Sequence, residues 1–291
     1  MKKSILFLAL LGSAFSFAQI EKLKDLKYET KIIDAENKYV VFPPKPDNDS
    51  IIYGVMYFDP ADGFSFKYMG SFWKKDDSFS YGKDERDADI KTPWQNLVLN
   101  VGLLPDAIAQ DLKLPEPQKV IKYSKGKKLT KDQMILERAS QMNASGFSEQ
   151  SIPYLEQLLK EKKGSNRLFF ELAFAYNATK QHEKAKDILE NAFKQKFVDD
   201  LLYKEMHFTY MYLYKVDEGA NFLQSIMSKF GNSLFKSECI LNQVGSFYRE
   251  KKFDATEKWI AIYKQQIGND RYKATIDQFE NALNLKKNPV Q

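Results

Sequence analysis

The second half of this sequence repeats at a fixed distance. One position holds a small residue or a histidine at three equally spaced places, Ala139, Ala173 and His207. A second position holds leucine at the same spacing, at Leu155, Leu189 and Leu223. A constant spacing of this length is typical of helix pairs that bury their apolar faces only by stacking on one another. The period favours a binding function over a catalytic one, because stacked helix pairs present an extended concave surface.

The best match to a known pattern lies between residues 169 and 192. Small residues stand at Ala173 and Ala185, where the two helices of a pair cross closely, and larger apolar residues surround that crossing. In this spacing the chain resembles the tetratricopeptide repeat (TPR) family, and the resemblance covers residues 129–285. It implies about four helix pairs, and the amphipathic segment 272–283 suits a capping helix after them.

The N-terminal part carries strand and turn signals instead. Residues 51–69 predict a β-hairpin, because two apolar or alternating stretches enclose the turn formers at 59–63. Residues 28–33 and 38–42 are further predicted strands, and residues 105–112 are a predicted short helix. The predicted fold class is therefore α+β and multidomain, with a small β-rich N-terminal domain followed by an all-α, TPR-like helical solenoid.

The expected domain boundaries follow from changes in composition. Lys2 and Lys3, an apolar stretch and a small-residue cleavage motif are typical of an export signal. The predicted segments are a signal peptide at residues 1–18, a β-rich domain of unknown family at 19–123, a lysine-rich linker at 124–128, the helical repeat domain at 129–286 and a tail at 287–291. We therefore expect an exported protein, periplasmic or secreted, with no membrane span in the mature chain.

The TPR resemblance also implies where a partner would bind. In that family the first helix of each pair lines the concave face. The corresponding positions here are Arg167, Phe170, Phe174, Asn177, Lys204, Phe208, Met211, Tyr212, Asn242 and Arg249. Aromatic residues and arginine dominate binding energy at protein interfaces, so a protein or peptide of the cell envelope is the predicted partner. In the alternative interpretation, these aromatic side chains are core residues covered by neighbouring helices or by the N-terminal domain.

Histidine and cysteine are missing from the predicted N-terminal domain, so catalysis there would need carboxylates, lysine or tyrosine. Both histidines, His182 and His207, and the single cysteine, Cys239, fall within the repeats, so a Ser–His or Cys–His pair is excluded from residues 19–123. The sequence also lacks a calcium-loop pattern and a phosphate-binding glycine loop. The net charge of +5 is not concentrated in a basic stripe, which argues against nucleic acid. We predict a non-catalytic scaffold or adaptor without a metal or cofactor.

Two other functions stay open at this point. Trp73, Trp94, Tyr57 and Tyr68 would suit a sugar-stacking surface in the N-terminal domain. The protein would then be a carbohydrate-binding or carbohydrate-cleaving envelope protein, with the repeats as support. Two of these rings side by side on the surface would favour that function, whereas burial would favour the scaffold. The third function is self-association through the repeats.

Overall fold

The chain divides into two compact units, Met1–Thr130 and Lys131–Gln291. The computed structural model describes residues 23, 26–44, 50–59, 61–75, 78–83, 89–90, 99–124, 129–161 and 164–287. The predicted signal peptide, most of the predicted linker and Trp94 lie outside the described residues. Within the described part, the first unit contains a β-sheet and the second contains helices joined by short turns.

The sheet of the first unit is antiparallel throughout its described part. Its strands are β1 (Thr30–Lys31), β2 (Lys38–Val41), β3 (Ser50–Asp59), β4 (Gly63–Lys75), β5 (Ser78–Lys83), β6 (Asp89–Ile90) and β7 (Asn100–Leu103). The described strands follow the order β1-β7-β2-β3-β4-β5, and β6 also pairs with β4. The long strands β3 and β4 therefore form the centre of the sheet, and the shorter strands extend it on both sides.

The predicted hairpin is confirmed as the pair β3 and β4. The strands pair up to the turn, where Asp59 faces Gly63. Asp59 Oδ1 accepts hydrogen bonds from the backbone N–H of Ala61 at 2.8 Å and of Asp62 at 3.3 Å. Gly63 has a φ of 81°, which favours glycine. The turn formers thus close the hairpin through an aspartate side chain and a left-handed glycine, as such residues do.

The prediction of a strand over residues 28–33 is only partly correct. The strand β1 covers Thr30–Lys31, and Ile32–Ala35 forms a short 3-10 helix. Ile32, Ile33 and Ala35 are all buried in that helix. A continuing strand would point the two adjacent isoleucines to opposite faces, whereas the tight turn buries both. The strand predicted over residues 38–42 is confirmed as β2.

Two short helices follow the sheet. The helix predicted there is confirmed as α1 (Asp106–Asp111), and α2 (Pro117–Val120) begins at a proline, whose missing N–H would have no helical partner at that position. Ile108 of α1 is buried with Tyr53 and Phe72 of the sheet. The helix α1 therefore covers part of one face of the sheet.

The helical nature of the second unit is confirmed over its described residues. Its helices are α3 (Lys131–Ala144), α4 (Ser148–Lys160), α5 (Asn166–Ala178), α6 (His182–Lys194), α7 (Asp200–Tyr212), α8 (Val216–Ile226), α9 (Ser233–Arg249), α10 (Phe253–Gln266) and α11 (Lys273–Lys287). They form four consecutive pairs, α3–α4, α5–α6, α7–α8 and α9–α10, before α11. We call α3, α5, α7 and α9 the first helices.

The turn inside each pair contains one residue with a left-handed backbone. These residues are Gly146, Lys180, Tyr214 and Lys251, with φ of 83°, 61°, 56° and 59°. The first three are separated by the same distance as the sequence repeat. The left-handed backbone therefore recurs once in each repeat. A left-handed residue after a helix allows the last carbonyls to be hydrogen-bonded, which ends the helix at a defined place.

Side-chain caps begin three of the first helices. Ser165 Oγ accepts from the N–H of Leu168 at 3.1 Å, Asp199 Oδ1 from that of Leu202 at 2.9 Å, and Asn232 Oδ1 from that of Leu234 at 2.9 Å. Each cap satisfies an N–H that has no partner inside the helix, and such caps contribute about 1 kcal/mol. Both ends of these first helices are therefore set by local sequence.

The first helices pack side by side. α3 contacts α5, α5 contacts α7, α7 contacts α9, and α9 contacts α11, while α4, α6 and α8 each contact the next first helix. Ala173 and Ala185 are fully buried, as predicted for the close crossing within a pair. Phe169 is also fully buried, in a cluster with residues of the first three pairs, and its ring centroid lies 5.2 Å from that of Phe197.

The third pair accommodates a histidine where the earlier pairs have alanine. His207 is fully buried, and its Nε2 lies 3.0 Å from Gln243 Oε1. Gln243 Nε2 donates to the carbonyl of Val216 at 3.1 Å, so the Gln243 oxygen accepts and His207 Nε2 is protonated. Burial lowers the pKa of His207 to about 4. The ring is therefore a neutral packing residue.

The described helices include none that is both long and apolar enough to cross a membrane. Cys239, the one cysteine of the chain, is fully buried on α9, as expected for a small apolar residue of a helix. Burial raises the pKa of its thiol well above the usual range. The thiol is therefore poorly placed for a disulfide with another molecule.

Candidate functional site

A cavity of about 980 Å³ lies in the second unit, a volume at the upper end of the range for ligand sites. It is lined by the C-terminal parts of α5, α7 and α9 and by the turns that follow α5 and α7. Its lining residues are Asn177, Ala178, Lys180, His182, Phe208, Met211, Tyr212, Tyr214, Asn242, Ser246 and Arg249. We call this cavity the groove.

The groove brings together six of the ten residues predicted for partner binding. These are Asn177, Phe208, Met211, Tyr212, Asn242 and Arg249. The other four, Arg167, Phe170, Phe174 and Lys204, are not part of its lining. Arg167 lies near the start of α5 and Asn177 near its end, which is about 15 Å along a helix axis. Of the first helices, only the C-terminal parts of α5, α7 and α9 line the groove.

The two predicted cations outside the groove are paired within the chain. Arg167 forms a two-pronged contact with the Glu137 carboxylate, in which Nη2 lies 2.8 Å from Oε2. Lys204 Nζ lies 2.9 Å from Glu238 Oε2 and 5.3 Å from the ring centroid of Phe208. Both ion pairs join neighbouring first helices. Both cations are therefore already paired with carboxylates of this chain.

Asn177 lies beneath the groove and connects three helices. Its Nδ2 donates to Glu205 Oε1 at 2.7 Å and to Thr209 Oγ1 at 2.8 Å, both on α7. Its Oδ1 lies 3.1 Å from Nδ1 of His182, at the start of α6. Because that oxygen only accepts, His182 Nδ1 carries the proton. The Asn177 side chain is buried and fully engaged, so it supports the groove from inside.

The same arrangement occurs one period earlier. Asn143 Nδ2 donates to Glu171 Oε2 at 2.8 Å and to the Glu171 carbonyl at 2.9 Å. Ser140 Oγ donates to Glu171 Oε1 at 2.5 Å. Each asparagine and its glutamate join consecutive first helices, and both pairs are buried. A buried polar pair of this kind selects one alignment of the two helices, because a shifted alignment leaves the carboxylate without its donor.

Glu205 has an unusual protonation behaviour because of this burial. Desolvation raises the pKa of its carboxyl group to about 7, while the Asn177 hydrogen bond and the charge of Lys204 lower it and the charge of Glu171 raises it further. Near neutral pH the protonated and charged forms are therefore both populated.

The substitution Glu205→Gln is expected to stabilise the protein at alkaline pH and to change it little in acid. The raised pKa means that the proton on Glu205 stabilises the fold below the ordinary pKa of 4.5, and this contribution is lost as the pH rises through about 7. The pKa of Glu205 in the folded protein exceeds its ordinary value by about 2.5, which corresponds to about 3 kcal/mol. This is the upper limit of the gain in the free energy of unfolding at about pH 8. Urea unfolding of both proteins at about pH 5 and about pH 8 measures it.

The titration of His207 cancels in this comparison, because both proteins contain it. An equal gain at both pH values would contradict a carboxyl group that takes up a proton in the folded state.

Aromatic rings form one wall of the groove. The rings of His182 and Tyr212 are stacked, with centroids 4.8 Å apart and planes 11° from parallel. Tyr212 is 51% exposed and Tyr214 is 87% exposed. Met211 packs behind them against Gly219, where an added Cβ would lie 2.3 Å from Met211 Cε. The groove thus offers a flat apolar surface, and the His182 ring is oriented by Asn177.

The groove also contains cations. Arg249 is exposed, and its Nη2 donates to Ser246 Oγ at 2.9 Å. Lys180 occupies the left-handed position of the turn after α5 and is exposed. Neither forms an ion pair with any residue that the structure describes, in contrast to Arg167 and Lys204.

Sequence reasoning missed Lys180, His182 and Tyr214 as groove residues. It placed partner contacts only on the first helices, whereas these residues lie in or directly after the turns. A signal was present, because Lys180 and Tyr214 follow Gly146 at the same spacing as the rest of the repeat. A glycine at one repeat marks the turn, so the aligned lysine and tyrosine must lie in turns too.

The three described rings of the predicted sugar-stacking surface differ in burial. Tyr57 is fully buried, Tyr68 is half-buried with its hydroxyl 2.8 Å from Ser71 Oγ, and Trp73 is 43% exposed. A second cavity of about 420 Å³ lies beside β2 and α1. Tyr39 lines this second cavity, and its hydroxyl donates a hydrogen bond to the Pro115 carbonyl at 2.9 Å. Among the three described rings, none is paired with another on the surface.

In the described part of the chain, no cluster of histidine, cysteine, aspartate or glutamate side chains is arranged to hold a metal ion. No protein-family model matches the sequence, and no similar sequence was found among the curated proteins.

Proposed function

We propose that this protein is a non-catalytic adaptor that binds a segment of another protein in the groove. The supporting observation is the groove itself, a cavity of about 980 Å³ with an aromatic wall and two cations that have no ion-pair partner in the described chain. Aromatic and arginine side chains that are desolvated together contribute most of the energy at protein interfaces. Groove residues come from three helix pairs, so a bound segment would contact several repeats at once.

We further propose that the helix pairs form a TPR-like solenoid. Three features repeat in register with the sequence: the left-handed turn residues, the helix caps, and the buried asparagine–glutamate pairs. First helices that each pack on the next first helix along the chain are the contact pattern of stacked repeats. Export to the periplasm or beyond is part of the same proposal, and it rests on the predicted signal peptide.

The substitution Tyr212→Ala is expected to weaken peptide binding by about 30-fold, which corresponds to about 2 kcal/mol for a central aromatic contact. Peptides are first selected from a random library on the immobilised full-length protein. Their affinities for the wild type and for the variant are then compared by fluorescence anisotropy.

Tyr154→Ala is the matched control. Tyr154 is also an exposed tyrosine of the helical unit, at 37% exposure on α4, but it does not line the groove. Its removal is expected to change affinity less than about threefold. If both variants bind the selected peptides as the wild type does, the groove is not the binding site.

A further inference from the structure

The charges that line the groove have one sign. Lys180 and Arg249 contribute positive charge, and no aspartate or glutamate occurs among the described residues of the lining. Elsewhere in the helical unit cations face carboxylates, as Arg167 does with Glu137, Lys204 with Glu238 and Lys215 with Glu183. The groove is therefore a place where this chain leaves its cations without counter-charges.

The helix dipoles do not cancel this positive charge. The C-terminal end of α5 and the N-terminal end of α6 both reach the groove, at Ala178 and His182. Their partial charges are about half an elementary charge each and of opposite sign, so they offset one another at first order. The C-terminal ends of α7 and α9 also reach the groove, at Tyr212 and Arg249, and each carries a partial negative charge of about half an elementary charge. These two partial charges offset the full positive charges of Lys180 and Arg249 only in part.

Glu205 is a buried carboxyl group beneath Asn177 of the groove lining. Its Oε1 accepts from Asn177 at 2.7 Å, and the side chain is buried. Because burial disfavours its charged form, Glu205 neutralises the cations of the groove only in part. A ligand with negative charge would neutralise the remaining positive charge of Lys180 and Arg249.

We infer that the groove binds an acidic segment of another polypeptide chain, whose carboxylates face Lys180 and Arg249 and whose aromatic side chain lies on the stacked Tyr212 and His182 rings. The inference rests on the proposed function and adds the chemistry of the partner. Carboxylate recognition by guanidinium and ammonium groups gives strong, charge-assisted hydrogen bonds. Aromatic stacking on Tyr212 adds apolar contact beside them.

A polypeptide fits the lining better than a nucleic acid does. Asn242 lines the groove, and its side-chain amide makes no hydrogen bond to any described residue, so this amide can donate to and accept from a peptide backbone. Nucleic acids are bound by rows of cations that follow the phosphates, whereas the described lining has two.

The test uses blocked, dye-labelled peptides and the full-length protein. The acidic probe carries aspartate and glutamate on both sides of a tryptophan, and its N-terminus is acetylated and its C-terminus amidated, so a terminal carboxylate plays no part. Matched probes carry asparagine and glutamine, or lysine, in place of the acids. A single-stranded oligonucleotide of similar length is the fourth probe. Affinities are measured by fluorescence anisotropy at about 50 mM and about 300 mM salt, because exposed charge contacts are screened over this range.

We expect the acidic probe to bind at least about tenfold more tightly than its neutral counterpart, and to lose about tenfold with Arg249→Gln and with Lys180→Gln. Arg271→Gln is the matched control, since Arg271 is an exposed arginine before α11 that does not line the groove. The acidic probe should also bind several-fold more weakly at the higher salt.

The outcomes separate the two proposals. Equal or tighter binding of the neutral or lysine probe, with loss on Tyr212→Ala, overturns the acidic partner but keeps the groove. Tighter binding of the oligonucleotide that depends on Arg249 overturns the polypeptide partner. If no probe and no library peptide responds to substitutions in the groove, both proposals fail.

Discussion

Replacing Phe169 with alanine is expected to lower the free energy of unfolding by about 4 kcal/mol, because a fully buried phenylalanine loses both its transfer energy and its packing contacts. Phe169 belongs to the cluster that joins the first three helix pairs, with Leu155, Ala173, Leu189 and Leu202 among its members. The cavity left behind is bounded by several helices, so no single side chain can move in to fill it. Urea unfolding followed by circular dichroism measures the loss.

The neighbouring residue provides the control. Phe170 is half-buried, and its ring centroid lies 6.2 Å from that of Phe174 on the same helix. Phe170→Ala is expected to lower the free energy of unfolding by about half as much as Phe169→Ala, because the Phe170 side chain buries a smaller apolar area. Equal losses for the two variants would contradict the orientation of α5 described above, in which Phe169 faces the core.

Replacing Asn177 with alanine is expected to lower the free energy of unfolding by about 3 kcal/mol at neutral pH. The substitution removes the donor to the buried Glu205 carboxyl and the acceptor for His182 Nδ1. A buried polar group that loses its partner costs about 1–3 kcal/mol, and a charged one costs more. The His182 ring would also lose its orientation, so peptide binding should weaken although Asn177 itself is buried. Urea unfolding and the peptide-binding assay measure the two effects separately.

Two further variants test the mechanism of this loss. Asn191→Ala on α6 removes the acceptor of an exposed hydrogen bond that Gln195 donates, and it should change the free energy of unfolding by less than about 0.5 kcal/mol. In the double variant Asn177→Ala, Glu205→Gln the penalty should fall by at least about 1 kcal/mol, because no charge is then left buried without a donor. Strict additivity of the two substitutions would mean that Asn177 and Glu205 do not interact.

The sequence predicted the helical unit well because its determinants are local. The period of the repeat reappears as left-handed turns at Gly146, Lys180 and Tyr214 and as caps at Ser165 and Asp199. Caps and turns act within a few residues of the chain, so each repeat contains the information for its own helix ends. The hairpin of the first unit was predictable for the same reason.

The candidate site was predictable only in part. The TPR resemblance led to six groove residues, but it included Arg167 and Lys204, which pair with Glu137 and Glu238 of neighbouring repeats. No local pattern shows which cation will meet a carboxylate of the next repeat. The resemblance also left out His182, because the contact that brings its ring against Tyr212 joins two different helix pairs.

By itself, then, the sequence determined the paired helices of the second unit with their turns and the β3–β4 hairpin of the first, since hydrophobic period, capping side chains and turn residues act over short distances. The tertiary structure alone decided which charges are neutralised and which remain exposed, because that depends on distances between residues of different repeats. Lys180 and Arg249 carry the same charged groups as Lys204 and Arg167, but packing brings no carboxylate of the described chain within ion-pair distance of them.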